Sequence, residues 1–238
     1  MTMRVLVADD DLVSRLAMED VLQRCGAPAV TLAQDGPAAW AALSGEACFD
    51  LVCLDVRMPP PDGLELAARL RASPARRRVP LLLITSTADR NTVLAASKSD
   101  VQGFVVKPVG AETVERIERV LAQLDASLLE PAATAIARLR IDADRHARYV
   151  AAFLGQVQAL HALAREIEAP GALPTPRATF IQRGDACRTA ALTLGAPRIE
   201  LVIADAIAAV QAEQGGAAQA MAQAVYWLER VARPTVAA

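Results

Sequence analysis

Carboxylates, a hydroxyl and a lysine punctuate the first half of this chain where apolar runs end. Asp9, Asp10 and Asp11 close RVLVA, Asp55 closes FDLVCL, Thr85 and Ser86 follow VPLLLI, and Lys107 follows FVV. If those runs are neighbouring strands, Asp9, Asp10 and Asp55 approach to ~5 Å, and at an effective dielectric of ~20 each pair repels by roughly 3 kcal/mol. A divalent cation offsets such repulsion, and an all-oxygen donor set points to magnesium. An ion there would screen an incoming phosphoryl group and orient it on one Asp55 oxygen. The chemistry in view is phosphoryl transfer, which works by positioning and charge neutralisation. Lysine supplies only two of the 25 basic residues, Lys98 and Lys107, and a compact charge on a flexible stem suits pairing with a carboxylate and then with a phosphoryl oxygen. The Thr85 hydroxyl can bond that oxygen and draw its loop inward, and Phe104 can rotate into the space vacated.

The elements that must bring these residues together are short strands alternating with helices. Strands are expected over 4–8, 29–33, 49–54, 79–84 and 104–106, and helices over 12–25, 36–43, 64–72, 92–97 and 111–126. The three consecutive prolines of MPPPDG (58–63) permit only a loop. This alternation predicts a five-stranded parallel sheet covered on both faces, with its ligand crevice at the carboxyl ends of the strands. Taken alone, the acids at 9–11 could serve merely as a helix N-cap cluster, Asp62–Gly63 as a turn and Lys107–Pro108 as a loop.

VLVADD, LDVRMPPPDG, LLLITS and FVVKPV, in this order and separation, resemble the receiver domain of two-component response regulators over residues 3–126. The resemblance implies a flavodoxin-like fold and magnesium held by Asp10, Asp55 and the backbone carbonyl of Arg57, with Asp9 acting through water. It also implies phosphorylation of Asp55 by a sensor histidine kinase, reported by Thr85 and Phe104 to the face formed by the helix at 92–97, the last strand and the helix after it. Ser86 stands where the family usually has alanine and is expected to tune access and lifetime; Arg57, two residues past the acceptor, is expected to alter hydrolysis.

Beyond residue 127 strand signals vanish and alanine-rich helical periodicity takes over. Helices are expected over 132–140, 143–168, 177–194, 198–213 and 217–232, broken by PGALPTP, GAP and GG. Short breaks between apolar-striped helices predict an antiparallel bundle, and the domains are read as 1–126 and 127–238. RGDACRTAALTLGAPRI (183–199) and the stretch 141–169 resemble the histidine phosphotransfer (Hpt) family. Aligned on Leu194–Gly195–Ala196, Asp185 falls at the histidine position, Arg188 at the lysine and Thr189 at the glycine. A lone aspartate lacks the nucleophilic imidazole on which that family depends, so a degenerate module for docking or dimerisation is expected. The alternative is a working relay that passes phosphate onward.

Composition narrows the classes further. Before residue 127 there are 14 basic and 17 acidic residues, and after it 11 and 10, so neither half has the positive excess that drives binding to nucleic acid. No apolar run approaches the ~18–20 residues of a membrane span, and a cytoplasmic protein is expected. Four scattered cysteines, Cys25, Cys48, Cys53 and Cys187, form no CxxC and read as buried thiols. No basic recognition helix or GGDEF-, EAL- or HD-like motif is present, which argues against a transcription factor or an output enzyme. His146, His161, Tyr226 and Trp227 read as parts of the bundle, and Arg76–Arg78 as a solvated run.

Overall fold

The computed structural model describes residues 2–86, 100–170 and 175–232. The helix expected over 92–97, and Lys98, lie outside the described residues. The chain divides into two compact units, Met1–Leu124 and Asp125–Ala238.

The first unit contains β1 (Arg4–Ala8), α1 (Leu12–Arg24), β2 (Ala29–Ala33), α2 (Gly36–Ser44), β3 (Leu51–Asp55), α3 (Gly63–Ala72), β4 (Leu81–Thr85) and β5 (Gly103–Val106), then most of α4 (Ala111–Leu128). All strand pairs are parallel, in the order β2-β1-β3-β4-β5, which is flavodoxin-like. Every residue of β3 and β4 is buried, as expected of central strands covered on both faces. Val5, Val7, Leu51, Cys53, Leu82 and Ile84 alternate onto one face, where they join Met18 and Leu22 of α1 and Ile117 and Leu121 of α4. β4 starts at Leu81, two residues later than the sequence predicts. Pro80 has no N–H to give to a ladder, although its carbonyl accepts from Val52 N at 2.9 Å.

The expectation of a solvated Arg76–Arg78 run is corrected at Arg76, which is buried. Its Nη2 donates at 2.7 Å to the carbonyl of Gly45, the C-cap residue of α2. A helix C-terminus lacks internal donors for its last carbonyls, and a buried guanidinium supplies one. Arg71, in the last turn of α3, donates instead to loop carbonyls, those of Arg77, Val79 and Asp100.

The second unit contains α5 (Ala132–Leu139), α6 (Ala143–Glu168), α7 (Thr175–Thr193), α8 (Pro197–Gln211) and α9 (Ala217–Val231). Helices α6 to α9 form a ring in which each packs on its sequence neighbour and α9 closes on α6. They run antiparallel: Glu168 at the end of α6 accepts from Gly216 N at the start of α9 (2.8 Å), and Arg177 near the start of α7 pairs with Glu213 just after α8. Phe153, Val157, Leu160, Phe180, Ile203 and Trp227 fill the middle. Gly184 lets α7 approach α8, since a Cβ there would lie 2.8 Å from Ile207 Cδ1. No described helix is long and apolar enough to cross a membrane.

Candidate phosphoryl-acceptor site

At the carboxyl end of β1 the three acids divide their work. Asp11 is the N-cap of α1 and accepts from Ser14 N at 2.8 Å. Asp9 is fully buried, with its Oδ1 accepting from Asp11 N at 3.0 Å and its carbonyl accepting from Arg15 Nη1 at 2.5 Å. Asp10 is exposed. Asp55 ends β3 and is 4% exposed; Val56 N, donating to Ile84 O at 2.8 Å, ties the next residue to β4. Thr85 ends β4 and is buried. Its carbonyl accepts from Lys107 N at 2.8 Å, carrying the β4–β5 ladder to the lysine.

The ladder register therefore assembles one site from four separate stretches. One carboxylate oxygen from each of Asp9, Asp10 and Asp55 lies within 4.8 Å of the others. Lys107 Nζ sits 2.8 Å from Asp9 Oδ2 and 3.1 Å from Asp55 Oδ2. Burial holds the Asp55 carboxyl above the usual carboxylate range; Lys107 pulls the other way, and the charge of Asp9 adds to the upward push. Burial pushes Lys107 down, but its bonds to Asp9 and Asp55 prevail and hold its ammonium above the usual lysine range. The result is a sheltered carboxylate of raised basicity beside a fixed cation.

The loop after Asp55 is built around two glycines. A Cβ on Gly63 would sit 2.2 Å from the Asp55 carbonyl, and one on Gly36 would sit 2.0 Å from the Pro61 carbonyl. Asp62 caps α3 reciprocally, accepting from Glu65 N at 2.8 Å while its own N–H donates to Glu65 Oε2 at 3.0 Å. The turn at Asp62–Gly63 is thus also the device that seats α3 beside the end of β3. The sequence signal for it was the Asp-Gly pair three residues before an acid on a helical run.

Other expected site residues are placed as follows. Arg57 is exposed, and its backbone N–H bonds to Asp55. Ser86 is exposed immediately beyond Thr85. Phe104 in β5 is half-buried, pairs in register with Leu83, and its carbonyl accepts from Arg116 of α4.

In the helical unit Asp185 is exposed on α7, its Oδ1 3.5 Å from Arg188 Nη1. Arg188 Nε donates to Glu200 Oε1 on α8 at 2.7 Å. Asp185 is therefore less isolated from acids than the sequence implies: Glu200 stands across the guanidinium, at a pairing that only α7–α8 packing reveals. That partnership, above all the Glu200 bond, raises the Arg188 pKa. Thr189 donates its hydroxyl to the Asp185 carbonyl at 3.3 Å. His146, Tyr226 and Trp227 are buried and His161 is half-buried. Cys187, on the buried side of α7, has its thiol pushed up to about 12 by burial.

Residues 5–118 match the family model described as the response regulator receiver domain. The chemotaxis protein CheY1 of Helicobacter pylori is 32% identical over 124 residues, 52% of this chain and 100% of that protein. The chemotaxis protein CheY of Pseudomonas aeruginosa is 31% identical over 125 residues, 52% of this chain and 99% of that protein. Among solved structures, the chemotaxis response regulator CheY4 of Vibrio cholerae is similar at 29% identity and a TM-score of 0.46, with coverage of 50% of this chain and 99% of that one.

Proposed function

Since the chain belongs, through its N-terminal unit, to the response regulator receiver family, we propose that it is a two-component response regulator switched by phosphorylation of Asp55. A sensor histidine kinase is the phosphodonor in this reading, and the cytoplasm its location. The observation that carries it is the convergence of Asp9, Asp10 and Asp55 to within 4.8 Å with Lys107 bonded to two of them.

The donor set fits a hard divalent cation, being all oxygen and drawn from three carboxylates. Asp10, Asp55 and the Arg57 carbonyl would hold magnesium, with Asp9 acting through water. When bound, the ion would supply charge neutralisation to the phosphoryl oxygens. The chain's own residues do the rest. An Asp55 oxygen forms the new bond to phosphorus as the donor's nitrogen–phosphorus bond breaks and its electron pair stays on the imidazole. Lys107, held against Asp9 and Asp55, is placed to transfer its pairing to a phosphoryl oxygen. Thr85 bonds that oxygen through its hydroxyl, and Phe104 turns inward to report the change along β5.

The helical unit is read as a degenerate Hpt-like domain that docks a protein partner and carries no phosphate. Asp185, at the position of the transferring histidine, offers a weaker nucleophile whose charge Arg188 already meets, and Thr189 adds bulk beside it. Output is through protein contacts, with neither nucleic acid nor membrane insertion involved.

Labelling with acetyl phosphate and magnesium tests both halves of this reading. Wild type and Asp185→Ala are expected to take up equal label and Asp55→Asn none. Label retained by Asp55→Asn, or lost by Asp185→Ala, overturns it.

A further inference from the structure

Two of the three acids at the end of β1 have their side chains tied down, and the third does not. Asp9 is buried and bonded through both carboxylate oxygens, Oδ1 to Asp11 N and Oδ2 to Lys107. Asp11 caps α1 by accepting from Ser14 N. Asp10 is exposed, and among the described residues its carboxylate has no hydrogen bond or ion pair. Yet Asp10 is among the groups proposed to hold the divalent cation. An exposed carboxylate without side-chain partners is held ready only through its own backbone.

That backbone is pinned by Arg15. Asp9 lies just past the last ladder position of β1, where Ala8 pairs with Ala33 and Leu54. Its N–H still reaches the Ala33 carbonyl at 3.2 Å, but its own carbonyl takes its donor from a side chain, Arg15 Nη1 at 2.5 Å. A buried carbonyl without a donor is costly, so this bond fixes the chain where β1 turns into α1. Arg15 is itself fixed, its N–H donating to the Asp11 carbonyl at 3.0 Å in the first turn of α1. Asp11 N closes the circuit on Asp9 Oδ1. Asp10 thus stands between two residues that the circuit holds on either side. Arg15 has Asp10, Asp11 and Glu19 close by in sequence, but its guanidinium bonds to a neutral carbonyl. Its contribution is geometric.

We propose that Arg15 is a positioning residue for the divalent-cation site, holding the Asp9–Asp11 backbone so that Asp10 is presented to the ion. This deepens the reading of Asp55 as an acceptor served by magnesium, and it rests on that reading. A support of this kind acts on ion affinity, while Asp55, Thr85 and Lys107 keep their own placements. A guanidinium acting by charge alone would do the reverse, since a cation beside three carboxylates competes with the ion.

Isothermal titration of the full chain with magnesium chloride alone distinguishes the two. Arg15→Met, which keeps the stem and loses the donor, is expected to bind about tenfold more weakly than wild type. Arg15→Gln, neutral with a shorter donor, is expected to lose less, and it gives the same test of sign if Arg15→Met does not fold. Arg15→Lys, which keeps a donor, is expected to recover most of the affinity. Acetyl phosphate labelling of Arg15→Met is expected to slow at limiting magnesium and to reach the wild-type rate at saturating magnesium. Unchanged or tighter binding in the neutral variants overturns the proposal. So does a loss that Arg15→Lys fails to recover, or a labelling defect that saturating magnesium leaves in place. Wild type that binds no magnesium removes the switch reading itself; wild type that binds it, with Arg15→Met unaltered, removes the role of Arg15 alone.

Discussion

Asp55 and Lys107 are each driven in opposite directions by their surroundings. Burial raises Asp55, so the fold favours its protonated form. Its favourable share of stability is present at low pH and is lost as pH rises through the raised value. Asp55→Asn is therefore expected to raise the melting temperature near pH 7 in metal-free buffer, with the gain shrinking as pH falls toward 4. Lys107, held high by Asp9 and Asp55, stabilises the fold until pH passes its own raised value. Lys107→Met is expected to cost about 3 kcal/mol at neutral pH, since it leaves two buried carboxylates without their cation. Magnesium is expected to recover part of that loss. Calorimetry with and without the ion checks these signs. The members of this cluster were legible in the sequence because each stands at the end of an apolar run. The Arg188–Glu200 pair and the burial of Arg76 were not, because both depend on which helix or loop lies alongside, and no local pattern encodes that.

Elements set the precision of the site. The central strands could be placed from sequence because parallel strands covered on both faces read as unbroken apolar runs. Their ends shifted where backbone chemistry intervened, as at Pro80. The start of α3 shows how closely an element is fitted to the acceptor. Gly63→Ala would thrust a methyl group to 2.2 Å from the Asp55 carbonyl. Helix propensity favours alanine there by about 1 kcal/mol, but overpacking against backbone costs roughly 1–3 kcal/mol and displaces the acceptor. The expected outcome is a lower melting temperature together with slower acetyl phosphate labelling. Unchanged labelling would show that this contact does not position Asp55.

Across the whole molecule, the sequence changes near residue 127 from alternating strands and helices to alanine-rich helices, and the two clusters of internal packing part at residues 124 and 125. Each has its own core, the first under the sheet and the second around Trp227. Trp227→Ala is expected to cost about 3–5 kcal/mol in the bundle while leaving Asp55 labelling at the wild-type rate, checked by thermal melting and label uptake on one preparation. What the second unit does was the least legible part of the sequence. Its helices follow from apolar periodicity, whereas the groove between α6 and α7, lined by Tyr149, Phe153 and Leu194, exists only once those helices lie side by side. The central claim concerns one atom of one residue, and borohydride reduction tests it most directly, because an aspartyl phosphate is converted to homoserine at the residue that carried it. After treatment with acetyl phosphate and magnesium, peptide mass spectrometry is expected to find homoserine at position 55. Homoserine at another aspartate, or at none, would contradict the account.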